Sequence, residues 1–179
     1  SDLDGEEIHT MRNVIISMLL LCMGCTQLPD KVKPVENFHL NRYLGKWYEI
    51  ARLDHSFERG LSKVTAEYSL NDNGSVKVIN RGYSEQNKQW QEATGIAYFI
   101  DSPSNGLLKV SFFRPFYGTY AIFELDQDNY QYAVVSGPNH SYLWILARSP
   151  SISNTVKKQL IQKATDAGFK TQDLIFVDQ

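Results

Sequence analysis

Between Gly45 and Arg148 the chain is a succession of short apolar–polar runs, each closed by a turn signal, with no helical periodicity interrupting them. The clearest run is Val64 to Leu70: Val64, Ala66, Tyr68 and Leu70 fall on one face, and Thr65, Glu67 and Ser69 on the other. A period of two describes a strand with one buried side. Eight such runs follow in order, at about Gly45–Asp54, Val64–Leu70, Ser75–Tyr83, Trp90–Ile100, Leu107–Phe113, Thr119–Leu125, Tyr130–Ser136 and Ser141–Arg148. Asn73-Gly74 signals a tight hairpin turn, since both residue types tolerate positive φ. Eight antiparallel strands joined by short loops close into an up-and-down barrel just wide enough for one small ligand. The expected fold class is therefore all-β, an eight-stranded antiparallel barrel over residues 37–179.

The flanks follow different rules. Asn37 to Leu44 suits a turn of helix covering one end of the barrel. After Pro150, Ser153 is placed to cap a helix. Val156, Leu160, Ile161, Ala164 and Ala167 share one face of that helix, and Gly168 ends it. The spacing predicts a helix packed outside the barrel, then a short strand over Asp173–Val177. Residues 11–24 run Met-Arg-Asn, then an apolar stretch to Gly24, a secretory-signal pattern too short for a membrane span. Gly24-Cys25 resembles a bacterial lipobox, with Cys22 where a branched aliphatic residue is usual. That resemblance implies lipidation of Cys25, which ties the chain to a membrane. Thr26, not Asp, then points to the outer membrane. Residues 1–10 fit no signal start and are read as a mis-started or non-native extension. Residues 25–36, with Pro29 and Pro34, read as an extended lipidated tether.

Charge and cysteine usage narrow the function. Residues 1–24 hold four acidic side chains and one basic, leaving 17 basic and 16 acidic beyond them. A near-neutral domain has no electrostatic footprint for nucleic acid. Both cysteines, Cys22 and Cys25, precede the barrel. His39, His55 and His140 lack metal-ligand spacing, and no Ser-His-Asp motif is visible. The reading is a non-enzyme with no metal and no cofactor.

Alternating strand direction sorts the loops. Trp47 and Arg148 fall at one end, with the 73–74, 101–106 and 126–129 turns; this is the closed end. The 55–61, 84–89, 114–118 and 137–140 loops form the mouth. Alternation proposes Tyr68, Ala97, Phe99, Phe112, Tyr120, Tyr142 and Trp144 as ligand-binding residues, with small residues such as Gly95 leaving room. Phe57, Arg59, Arg114, Phe116 and Tyr117 are the mouth set. Arginine holds a phosphate or carboxylate with paired hydrogen bonds, so Arg59 and Arg114 are candidates for a lipid head group. The apolar rim suits a membrane or a second copy of the chain, making a homodimer a candidate. Gly45, Trp47 and Arg148 form the structural base, with the guanidinium over the indole.

Gly45-Lys46-Trp47-Tyr48, Leu125-Asp126 with Tyr130, and Arg148 resemble the three motifs of the lipocalin family. Glu124 and Leu125 stand where many members carry a small residue and Thr. The runs 41–52, 110–118 and 142–146 are similar to the bacterial outer-membrane lipoprotein branch, related to apolipoprotein D. The resemblance implies binding of small apolar molecules, in that branch fatty acids and lysophospholipids. The lipocalin-type prostaglandin synthases need a barrel cysteine that this domain lacks. A barrel filled by its own side chains, serving as a scaffold, is the alternative reading.

Overall fold

A computed structural model describes residues 27–179; the extension over 1–10, the signal-like run over 11–24 and Cys25 lie outside these residues. One helical turn, α1 (Leu40–Tyr43), leads into eight strands. They are β1 (Gly45–Arg52), β2 (Leu61–Leu70), β3 (Val76–Ser84), β4 (Gln89–Phe99), β5 (Leu107–Phe113), β6 (Phe116–Leu125), β7 (Tyr132–Ser136) and β8 (Leu143–Ala147). Each pairs antiparallel with the next, and β1 pairs with both β8 and β2, which closes the barrel. Helix α2 (Asn154–Asp166) and a two-residue strand β9 (Ile175–Phe176) complete the chain. β9 pairs with Ala51 and Arg52, beyond the point where the β1–β2 pairing at Gly45–Tyr48 ends. The C-terminal residues thus fill the upper seam, where Lys63 N–H donates to Asp178 and Gln179 donates to Glu49 and Val64 carbonyls.

Two apolar layers follow from the strand alternation. The inner cluster fills the barrel with Trp47, Tyr68, Val76, Val78, Leu108, Ile122, Val135 and Leu146 among others. The outer cluster joins the opposite strand faces, including Ala51, Ala121, Val134 and Ile145, to Leu160 and Ala164 of α2. Ser153 caps α2 by accepting from Val156 N–H at 3.2 Å, and Gly168 ends it at φ +92°. Leu160 is 2% exposed; truncating such a residue to Ala costs about 2–5 kcal/mol.

Three local expectations change. The 71–75 turn uses only Gly74 at positive φ, because Gly74 N–H bonds Asn71 C=O and Asn73 turns its side chain onto Ser75. Leu70, on the same face as Tyr68 by alternation, is 51% exposed at the strand's last position. The described part of the tether is not free. Leu28 and Val32 pack into the outer cluster, and Val35 exchanges backbone hydrogen bonds with Ile122 and Gly106. The segment descends the outside of the barrel from the mouth to Phe38, whose N–H meets Ser104 C=O at the closed end.

Candidate functional site

A cavity of about 100 Å³ runs up the barrel axis, lined from Phe38, Leu40 and Tyr43 at the closed end to Glu49, Glu58 and Trp144 toward the mouth. One ordered water needs about 10–15 Å³ by a comparable measure, so the space is several waters wide. Val64, Val76, Val78, Leu108, Val110, Val135 and Leu146 supply the apolar wall. Tyr68, Ala97, Phe112, Tyr120 and Trp144, expected from alternation, all face this cavity. Phe99 and Tyr142 do not line it. Phe99 packs against Phe38, ring centroids 6.0 Å apart, below the cavity floor. Tyr142 lies on the rim, stacked over Trp144 at 6.2 Å. The room left by Gly95 is filled by Phe112, whose ring would be 2.8 Å from a Cβ there.

The floor carries a tyrosine relay. Tyr120 Oη lies 2.6 Å from Tyr43 Oη and 2.7 Å from Tyr68 Oη. Burial raises the pKa of all three phenols, so they remain neutral hydroxyls. Below them Trp47 is fully buried, its indole N–H donating to Tyr43 C=O at 2.8 Å. Arg148 Cζ sits 4.0 Å from the Trp47 ring centroid. Its guanidinium also donates to the carbonyls of Tyr130, Lys46 and Arg42. Gly45 takes φ +96°, in the left-handed region where a side chain is strained.

A charged cluster that alternation missed lies on the upper wall. A β-bulge at Ile50 shifts the β1–β8 register, so Glu49 is opposite Leu146 and Arg52 opposite Trp144, both inward partners. Arg52 Nη1 donates to Glu49 Oε1 at 2.9 Å, and Nη2 donates to the Glu58 and Leu61 carbonyls. Trp144 Nε1 donates to Glu58 Oε2 at 3.1 Å. His55 Nε2 is 2.9 Å from the same oxygen but off the hydrogen-bond direction, so the contact is electrostatic proximity. Burial and the nearby Glu58 charge push Glu49 well above the carboxylate range, outweighing Arg52. Burial also acts upward on Glu58, but His55, Trp144 and Arg52 together hold it below its usual value. The shared environment thus favours the protonated form of Glu49 and the ionised form of Glu58. No sequence motif announced this cluster; only the bulge turns residues three apart to one face.

The mouth set divides. Phe57 and Phe116 are 73% and 77% exposed, joined by Phe113 at 75%. Arg59 pairs with Asp54 at 2.8 Å, so it is not a free cation for a head group. Arg114 is exposed between the two phenylalanines. Tyr117 turns to the outer wall, its ring 6.2 Å from Tyr98 and 5.1 Å from Lys109 Nζ. It faces away from the mouth because β6 alternates about the inward Tyr120.

A closed eight-stranded barrel with an external helix, a cation-capped tryptophan at the base and a lined interior defines a lipocalin-like protein. Residues 38–179 match the Lipocalin-like domain family, and the chain belongs to it. The outer membrane lipoprotein Blc of Vibrio cholerae is 55% identical over 165 residues, spanning 90% of this chain and 96% of that one. Blc of Escherichia coli K12 is 52% identical over 162 residues, 90% of each. Bovine apolipoprotein D is 31% identical over 150 residues, spanning 80% and 78%. Among solved structures, insecticyanin from the tobacco hornworm Manduca sexta superposes with a TM-score of 0.67 at 19% identity, covering 86% and 87%; that likeness concerns the fold.

Proposed function

We propose that this protein is an outer-membrane-tethered carrier of single-chain amphiphiles, lysophospholipids and fatty acids, acting without covalent chemistry. The observation that carries the reading is the cavity itself, walled mainly by apolar side chains, with the carboxyl groups of Glu49 and Glu58 toward the open end. Each methylene moved from water into such a wall contributes about 0.8 kcal/mol. A carboxylate or phosphate entering the barrel would have to pass the Glu58 carboxylate, whereas an acyl tail passes it without charge repulsion. The tail therefore enters first and the head group stays at the mouth. A lysophospholipid keeps its phosphate at the rim and has a glycerol hydroxyl to donate to Glu58; a fatty acid offers only a second carboxylate. The lysophospholipid is the preferred ligand on this reasoning. The close relatives' name, outer membrane lipoprotein, supports the location and the lipid anchor at Cys25.

Native mass spectrometry of delipidated protein, offered a lysophospholipid and a fatty acid in competition, tests this. A one-to-one lysophospholipid complex is expected. Preference for the free acid would sink the head-group argument. No complex with either would move the protein to a scaffold role, with the barrel filled by side chains such as Phe112.

A further inference from the structure

We propose that the open end of the barrel lies flat against the lipid surface, with Phe57, Phe113 and Phe116 seated among the head groups. This rests on the lipid anchor read at Cys25 and goes beyond it by fixing which end faces the bilayer. The first argument is the path of the chain. The Asp30 carbonyl accepts from His140 Nε2 at 3.2 Å. His140 belongs to the β7–β8 connection, at the mouth. From Asp30 the chain runs away from the mouth toward Phe38 at the closed end. Cys25 is five residues upstream of Asp30, and five extended residues reach about 17 Å at most. An anchor on so short a leash holds the mouth, not the closed end, close to the membrane.

The second argument is what the two ends display. In the barrel order β5-β6-β7-β8-β1, the β7–β8 connection that meets Asp30 lies between the β5–β6 hairpin and the β1–β2 loop. These two flanking loops carry Phe113 opposite Phe116 in register, and Phe57. All three rings are roughly three-quarters exposed among the described residues, Phe57 meeting the His55 ring on one side at 5.7 Å. Arg114, also exposed, stands in the same hairpin as a cation for lipid phosphate. The closed end is polar: its turns expose Asp72, Asp101 and Asp128, and Arg42 and Lys46 stand beside them. Of the seven exposed large apolar side chains among the described residues, only Leu70 stands there. Charges of both signs stand at each end, with Arg42 and Lys46 exposed at the closed end and Asp54 and Glu85 at the mouth, so the exposed rings are what distinguish the mouth as the lipid-facing end. Seated this way, the cavity opens onto the leaflet, and an acyl chain passes between bilayer and barrel without crossing bulk water.

Full-length protein matured to its acylated form and reconstituted into phosphatidylethanolamine–phosphatidylglycerol vesicles provides the test. Single variants F57C and F116C at the mouth, and N73C and D128C at the closed end, are labelled with a polarity-sensitive fluorophore. The expected result is a blue shift and strong quenching by spin-labelled lipid for the mouth pair, with water-like spectra for the closed-end pair. Quenching of the closed-end pair, or water-like spectra at all four positions, overturns the orientation. A mass spectrum showing Cys25 unacylated overturns it as well and leaves lipid binding by the cavity untouched. Quenched mouth labels on protein that binds no lysophospholipid would uphold the orientation and sink the carrier reading alone.

Discussion

Glu49 and Arg52 lie three residues apart on β1, yet both side chains turn into the barrel, 2.9 Å apart and almost wholly buried. The bulge at Ile50 makes this possible by inserting one residue between two inward positions. The pair then shares its wall with Glu58, His55 and Trp144, so two carboxyl groups compete for one buried environment.

The pH dependence of stability follows from the opposite shifts of the two acids. Glu49 has a folded pKa above its unfolded value. Its contribution is complete below the unfolded carboxylate range and is lost as pH rises through the raised folded value. Glu58, shifted down, contributes above its unfolded value and loses that contribution as pH falls through the folded one. Glu49→Gln keeps an oxygen for Arg52 and has no proton to lose. Its melting temperature is expected to decline less than the wild type's on the alkaline side. Thermal scans from about pH 5 to about pH 9 check this; parallel curves would place the excess proton elsewhere.

At the base, Arg148 combines a ring contact with three backbone carbonyl acceptors. Arg148→Ala is expected to cost about 3 kcal/mol, from the cation–π contact and the charge-assisted hydrogen bonds. Lysophospholipid affinity of the folded variant should stay within about threefold, since Arg148 does not line the cavity. Urea denaturation and ligand titration separate the two. A stable variant that no longer binds would make Arg148 part of the ligand site.

Tyr120 is the middle member of the hydroxyl relay, and Tyr120→Phe strands Tyr43 and Tyr68 in a buried setting. A loss of about 1–3 kcal/mol is expected in chemical denaturation. Tyr43→Phe, which removes an end of the relay and leaves the Tyr120–Tyr68 bond intact, should cost less. Equal costs would mean the hydroxyls find water in the cavity.

Ala97 faces the cavity at 4% exposure. Ala97→Phe is expected to fill the space, weaken lysophospholipid binding by at least about tenfold, and cost about 1–3 kcal/mol through overpacking. Calorimetric titration with a near-ultraviolet circular dichroism check on folding would show it. Unchanged affinity would put the acyl chain outside this cavity.

What the sequence determined by itself is the barrel, the external helix and part of the cavity wall. Strand order, the Ser153 cap and the inward placement of Tyr68, Ala97, Phe112, Tyr120 and Trp144 all follow from periodicity and local turn chemistry, which act between neighbours. The tertiary structure decided what periodicity does not encode. The bulge at Ile50 reverses the facing of β1 and draws Arg52 inward, because register is set by pairing with β8. Gly95 admits a ring from β5 rather than leaving space, because packing fills a missing Cβ with whatever neighbour reaches it. Arg59 is committed to Asp54, and Tyr117 to the outer wall, by contacts that the strand pattern alone does not specify. The path of residues 28–38 down the outside of the barrel depends on contacts as distant in sequence as Asp30 and His140. Such pairings are decided only when the barrel has closed.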